Sequence, residues 1–242
     1  MSSWKAKRFW KSACVVETPA GFGIELDARP VKTPAKRLLE TPTRALAEAI
    51  ALEWDAQDGQ IDPLSMPFTR TANAALDKVA VQHGEVADML AAYGDSDLLC
   101  YRAETPEELV ARQSARWDPM LDWAASALEA RLAVHSGVVH VAQDPAVLAR
   151  LSARVHALST FELTAFHDLV SLSGSLILAF AATRGVLDAA AIWEVSRLDE
   201  IWQAEQWGAD DIAEAAAEVK QAAFVHAYSV FSMCQPVFSG HN

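Results

Sequence analysis

Acids and tryptophans crowd together between Asp188 and Gly208, D-A-A-A-I-W-E-V-S-R-L-D-E-I-W-Q-A-E-Q-W-G. Two carboxylates close in space can act as general acid and general base, but only where a pocket holds a substrate between them. Nothing in the sequence supplies such a pocket around these. At about 100° per residue, Ala191, Val195, Leu198, Ile201 and Trp202 form one apolar face, with Glu194 on it and Glu205 near its centre. Trp193, Glu200 and Trp207 fall opposite, spaced by seven. Arg197 and Glu200 stand at i, i+3, where they can pair. Two readings are open. In one, the helix is packed on both sides and its acids pair or snorkel. In the other, Trp193 and Trp207 with Asp199, Glu200 and Glu205 present an aromatic–acidic surface to a protein partner, tryptophan being enriched at binding hot spots. The acids would then select a basic or amide-bearing partner.

Other chemistry is scarce. His83, His135, His140, His156, His167, His226 and His241 include no i, i+4 pair and no H-E-x-x-H, so surface or hydrogen-bonded roles are expected rather than metal ligation. Cys14, Cys100 and Cys234 are far apart and form no C-x-x-C, which predicts reduced cysteines acting as small apolar residues. Nucleophile-elbow, P-loop and dinucleotide-binding motifs are absent, and no cofactor is expected. The formal charge of −12 opposes a phosphate backbone and so counts against nucleic-acid binding.

The elements that must position these residues are legible. Phe22, Ile24 and Leu26 alternate with polar or small residues, the period of a half-buried strand. Ser12–Glu17 and the stretch after the Asp27–Pro30 turn supply partners, making a small antiparallel β unit. Helices follow, predicted at about 70–92, 106–116, 119–132, 145–158, 161–184, 189–206 and 211–233. Thr41-Pro42, Thr105-Pro106, Asp118-Pro119 and Asp144-Pro145 read as helix starts, with a capping box from Thr105 to Glu108. Gly94, Gly185 and Gly208 fall where C-terminal caps belong. The first helix, after Thr41, carries Leu46, Ile50 and Trp54 along one core-facing stripe, and Trp54 is expected to be a structural anchor. Leu169–Thr183 is uncharged but shorter than the roughly 20 residues of a membrane span, and reads as a central buried helix. The basic N-terminus lacks a following apolar run, so no secretory signal is evident. The fold class is α+β, with a β-containing domain over 1–68, a joint at Pro63–Pro67, and a helical domain over 69–242.

Seven segments carry a resemblance. They are Arg8-Phe9-Trp10-Lys11, L-D-A-R-P-V-K-T-P-A-K from Leu26 to Lys36, and Ala47-x6-Trp54-Asp55-x-Gln57. Met66–Thr69 follows, then D-L-L-C-Y-R from Asp97, R-W-D-P-M-L-D-W from Arg116, and R-L-D-E-x-x-Q-x-x-x-W-G from Arg197. Together they resemble the chaperones that assemble the catalytic head of F-type ATP synthase by serving its α-subunit. The resemblance implies a small β-containing domain joined to a helical one, binding without turnover, and the unassembled α-subunit as client. It places the functionally sensitive acid at Asp199–Glu200. A monomer when free is expected, in the bacterial cytoplasm or, as a processed form, the mitochondrial matrix. The competing expectation is an enzyme of unrecognised type using the carboxylates of the 188–208 segment.

Overall fold

Alternation of Phe22, Ile24 and Leu26 becomes strand β2 (Gly21–Leu26), paired antiparallel along its whole length with β1 (Ala13–Thr18). This computed structural model describes residues 7–235. Val15 lies opposite Ile24 and Ala13 opposite Leu26, so their side chains share one face. On its far side β2 pairs with β3 (Arg29–Pro30) and β4 (Glu40–Thr41). The β2–β3 turn places Asp27 and Ala28 at φ of +48° and +63°, as a two-residue hairpin requires. The Asp27 carboxylate accepts from the backbone N–H of Lys11 and of Ser12, at 3.0 and 3.1 Å. Those bonds, Lys11 first, hold its pKa below the usual value.

Helix α1 (Arg44–Asp55) packs on β1 and β2 with Leu46 and Ile50 buried, as the stripe predicts. Its start differs by two residues from the Thr41-Pro42 expectation. Thr43 is the cap, its hydroxyl accepting from Leu46 N, while Thr41 belongs to β4 and donates to the Phe22 carbonyl at 3.2 Å. Beyond α1 the chain winds around two side chains. Gln57, 5% exposed, donates to Glu53 O and Ser65 Oγ and accepts from Asp62 N. Glu53 accepts from Phe68 N, Thr69 N and Thr69 Oγ1 at 2.6–2.8 Å, capping α2 (Pro67–Ala74) from outside. Half-burial raises the Glu53 pKa, against the pull of those bonds.

A π-helical turn (Ala75–Val79) and α3 (His83–Ala91) lead to α4 (Glu107–Ala127). This helix runs unbroken through Pro119, which corrects the expectation of separate helices over 106–116 and 119–132. An interior proline costs about 3 kcal/mol. Burial of Trp117, Met120, Leu121 and Ala124 on the same helix offsets that. Asp118 does not cap a helix; it takes a 2.7 Å ion pair from Arg102. The Thr105 capping box is likewise unformed, Pro106 occupying the cap position with no side-chain bond.

The other helices are α5 (Pro145–His156), α6 (Thr160–Ser173), α7 (Leu176–Thr183), α8 (Ala189–Ser196), α9 (Leu198–Trp207) and α10 (Asp211–Cys234). The central buried helix is therefore two helices, broken at Gly174. Gly174 takes φ +70°, a conformation glycine adopts without a Cβ penalty. Ser175 caps α7, accepting from Leu178 N at 3.0 Å. Fully buried Asp97 completes the cap, accepting from Ser175 Oγ at 2.8 Å and Ile177 N at 3.0 Å. Gly94 is not a cap: it sits buried inside a 3-10 turn (Ala92–Asp95), where a Cβ would meet Leu148, Leu151 and Leu176 at 3.3–3.4 Å. Gly208 does cap α9.

By compactness the described chain forms two units. The first contains 7–83, 159–165 and 229–235; the second contains 84–158 and 166–228. The first thus continues past Phe68 and takes in two later segments. No described helix is long and apolar enough to cross a membrane. Cys100 and Cys234 are buried, each thiol pushed up to about 12, while Cys14 is exposed. His140, His156 and His167 pair with Asp95, Asp88 and Asp168, each at 2.9 Å. His241 lies outside the described residues.

Candidate functional site

The Asp188–Gly208 segment folds as two helices, with Arg197 as the hinge residue at φ −103°, ψ 14°. The expectation of one helix over 189–206 is corrected, and so is the single face bearing Trp193, Glu200 and Trp207. In α8 both sides are covered. Ile192 and Val195 are buried, and Trp193, 5% exposed, lies 5.7 Å from the Phe224 ring of α10. Trp193 is a core side chain, because α10 covers the side that phase alone assigns to solvent. Helix α9 is the reverse, with Leu198 its only fully buried described residue and Trp207 79% exposed.

Helix α4 holds α8 and α9 in place. The Trp117 indole N–H donates to the Val195 carbonyl at 2.9 Å, near the end of α8. Buried Gln113 donates to Asp199 Oδ1 at 2.8 Å and accepts from Ala103 N at 2.9 Å. Arg112 makes a two-pronged pair with Glu205, its second bond 2.9 Å, and lies 5.7 Å from the Trp202 ring. Glu205 therefore lies on the α4-facing side of α9, as helix phase implies, with its charge matched. The Arg112 hydrogen bond holds the Glu205 pKa below the usual value and raises that of Arg112.

Glu200 faces outward and pairs with Arg197 at 2.6 Å, the i, i+3 bond the sequence predicts. Arg197 in turn lies over the Trp193 ring, 5.7 Å from its centre. Arg116 reaches Glu194 at 3.9 Å. The result is a mosaic of arginine–carboxylate pairs across α4, α8 and α9, edged by the bare indole of Trp207. Asp199 is turned toward Gln113, while Glu200, Glu205 and Trp207 are exposed, Glu200 and Glu205 each paired with an arginine. Arg112, Gln113 and Trp117 are the residues that sequence reading passes over. Their signal is modest: polar and aromatic side chains at i, i+1 and i+5 on one helix.

Trp54 belongs to a different assembly. Half-buried, it meets Trp10 edge-on with ring centres 5.2 Å apart. Arg8 donates to the carbonyls of Asp55 and Gln57 at 2.6 and 2.7 Å, and pairs with the Asp55 carboxylate. The R-F-W-K and E-W-D-x-Q segments are thus one interlocked structure. Thr33 Oγ1 and Ala35 N of the L-D-A-R-P-V-K-T-P-A-K segment both donate to Asp77.

Residues 7–125 match the family described as ATP12 chaperone protein. The crystal structure of Atp12 from Paracoccus denitrificans is 49% identical, with a TM-score of 0.94, covering 96% of this chain and all of that one. An aspartate-to-lysine mutant of the same P. denitrificans protein matches with the same identity and TM-score, over 97% of this chain. The mitochondrial protein atp12 of Schizosaccharomyces pombe is 26% identical over 84% of this chain and 74% of its own length. With sequence, fold and interlocked motifs in agreement over nearly its whole length, the chain belongs to the ATP12 chaperone family.

Proposed function

We propose that this chain is a non-enzymatic assembly chaperone of F-type ATP synthase. It binds the unassembled α-subunit and shields it until the β-subunit takes its place. A ring subunit without its neighbour exposes an apolar interface that aggregates, and a holding protein must cover it without outcompeting the final assembly. The observation that carries the reading is the α9 surface. Glu200 is exposed two helical turns from a tryptophan left bare at 79% exposure, on a helix bonded to α4 through Gln113 and Arg112. An exposed indole with charged surroundings has the composition of a binding hot spot.

The same geometry speaks against the enzyme alternative. Asp199, Glu200 and Glu205 are each engaged by a different group, Gln113, Arg197 and Arg112. A general acid needs a raised pKa, whereas that of Glu205 is lowered. The chaperone works without a cofactor, as a monomer when free, in the cytoplasm of a bacterium or in the mitochondrial matrix.

Co-expression tests this. The chain produced with its own α-subunit keeps that subunit soluble and co-purifies with it, and added β displaces it. Insoluble α, or a complex that survives β unchanged, rejects the reading.

A further inference from the structure

Strand β1 has one partnered edge and one open edge. Thr18 and Gly21 close the two-residue hairpin as a bonded pair, and Asp27 N donates to Ser12 O at 3.2 Å at the other end. Cys14, Val16 and Thr18 therefore bond to β2, so Ala13, Val15 and Glu17 direct their N–H and C=O groups away from it. Among the described residues no strand takes that outer edge. Folded proteins usually blunt such an edge with proline, lysine or a bulge. Residues 13–18, A-C-V-V-E-T, contain neither, and the pairing with β2 is one-to-one throughout.

Beside this edge runs a cleft of about 470 Å³, lined by Ala13, Cys14 and Val15 of β1 and by a stripe along α1. The stripe is Arg44, Glu48, Ala51, Leu52 and Asp55, helically spaced along nearly the whole of α1. Leu52 is 70% exposed there. A strand laid against β1 at the ordinary spacing of about 4.8 Å would turn every second side chain toward Ala51 and Leu52. Charge narrows the occupant. Arg44 is paired with Glu17 and Asp55 with Arg8, but Glu48 is exposed and has no ion-pair partner among the described residues. A second copy of the chain would bring two such acidic rims together.

We propose that the open edge of β1 is a strand-addition site. Its occupant is an extended segment of the client subunit, apolar at alternate positions, with a basic side chain that reaches Glu48. Main-chain bonds to Ala13, Val15 and Glu17 supply affinity, and the α1 stripe supplies selection. This inference rests on the proposed function, and adds a second contact surface to the one on α9.

The test compares Val15→Pro with Val15→Ala in the α-subunit complex, alongside amide exchange of the unmutated chain with and without α-subunit. The Val15 N–H is not used by β2, so proline at this edge position leaves the β1–β2 ladder intact. Val15→Pro is expected to bind at least about tenfold more weakly than Val15→Ala. The amides of Ala13, Val15 and Glu17 should become protected only in the complex. Equal binding by the two variants, or unchanged exchange of these amides in the complex, overturns the proposal even where α-subunit binds. Should Val15→Pro not fold, amide exchange in the unmutated complex decides alone. Protection that grows with concentration in the absence of client means a second copy takes the edge, and also overturns it. Failure of the unmutated chain to hold α-subunit at all overturns the function itself, and this inference with it.

Discussion

Glu200 and Trp54 stand for two kinds of residue in this molecule, one whose partner is a neighbour on the surface and one whose partners are internal. The Glu200 carboxylate is paired one helical turn away and half in water, a bond that contributes little to stability. Replacing it by lysine is expected to weaken α-subunit binding about tenfold while shifting the melting temperature by no more than about 2 °C. Isothermal titration and a thermal melt on one preparation check this; a matching loss of stability would make Glu200 architectural. Trp54 should behave the opposite way. Its ring packs edge-on against Trp10 and its indole N–H has no partner, so truncation removes packing but no hydrogen bond. Trp54→Ala is expected to cost about 2–4 kcal/mol in chemical denaturation. A variant that unfolds like the unmutated chain yet loses its client would refute the anchor role.

Breaks matter more than lengths at the scale of elements. The α6–α7 break survives because Gly174 accepts a left-handed backbone and Asp97 satisfies the free N–H groups at the buried start of α7. Burial raises the Asp97 pKa to about 6, outweighing the hydrogen bonds from Ile177, Leu99 and Ser175 that favour its charged form. Below the ordinary value of 3.8 the carboxyl is protonated folded or unfolded, and its contribution to stability is fully present. Between there and pH of about 6 the unfolded chain binds fewer protons than the folded one, so this contribution is lost as pH rises. Denaturation curves across that window should show a falling component that Asp97→Asn lacks, the variant being less stable by on the order of 1–3 kcal/mol. Persistence of the component in Asp97→Asn would assign it elsewhere. The α8–α9 break has a different consequence: it separates a largely buried helix from a largely exposed one. Helix starts such as Asp144-Pro145 are readable because the cap and the bond it accepts lie two residues apart. The Arg197 break has no comparable local signal, since what holds it comes from α4; at Gly174 the local Ser175 cap is completed by Asp97, about 80 residues earlier.

At the scale of the whole molecule, a holder must bind its client well and then yield it. Under the proposed function, the net charge of −12 opposes self-association of the free chain. Displacement by β in the co-expression experiment belongs to this scale, because it compares the free energy of two whole interfaces rather than of any one contact. The sequence by itself determined the α+β class, the β1–β2 pairing, the α1 stripe and the Arg197–Glu200 pair. Each depends on a period of two or about 3.6 residues, or on partners within one turn. Tertiary structure alone decided that Trp193 is buried and Trp207 bare, that Glu205 meets Arg112 across 93 residues, and that Asp199 turns to Gln113 across 86. It also decided that the outer edge of β1 faces a cleft. Periodicity says which side of an element is apolar; what covers that side depends on chain that arrives much later.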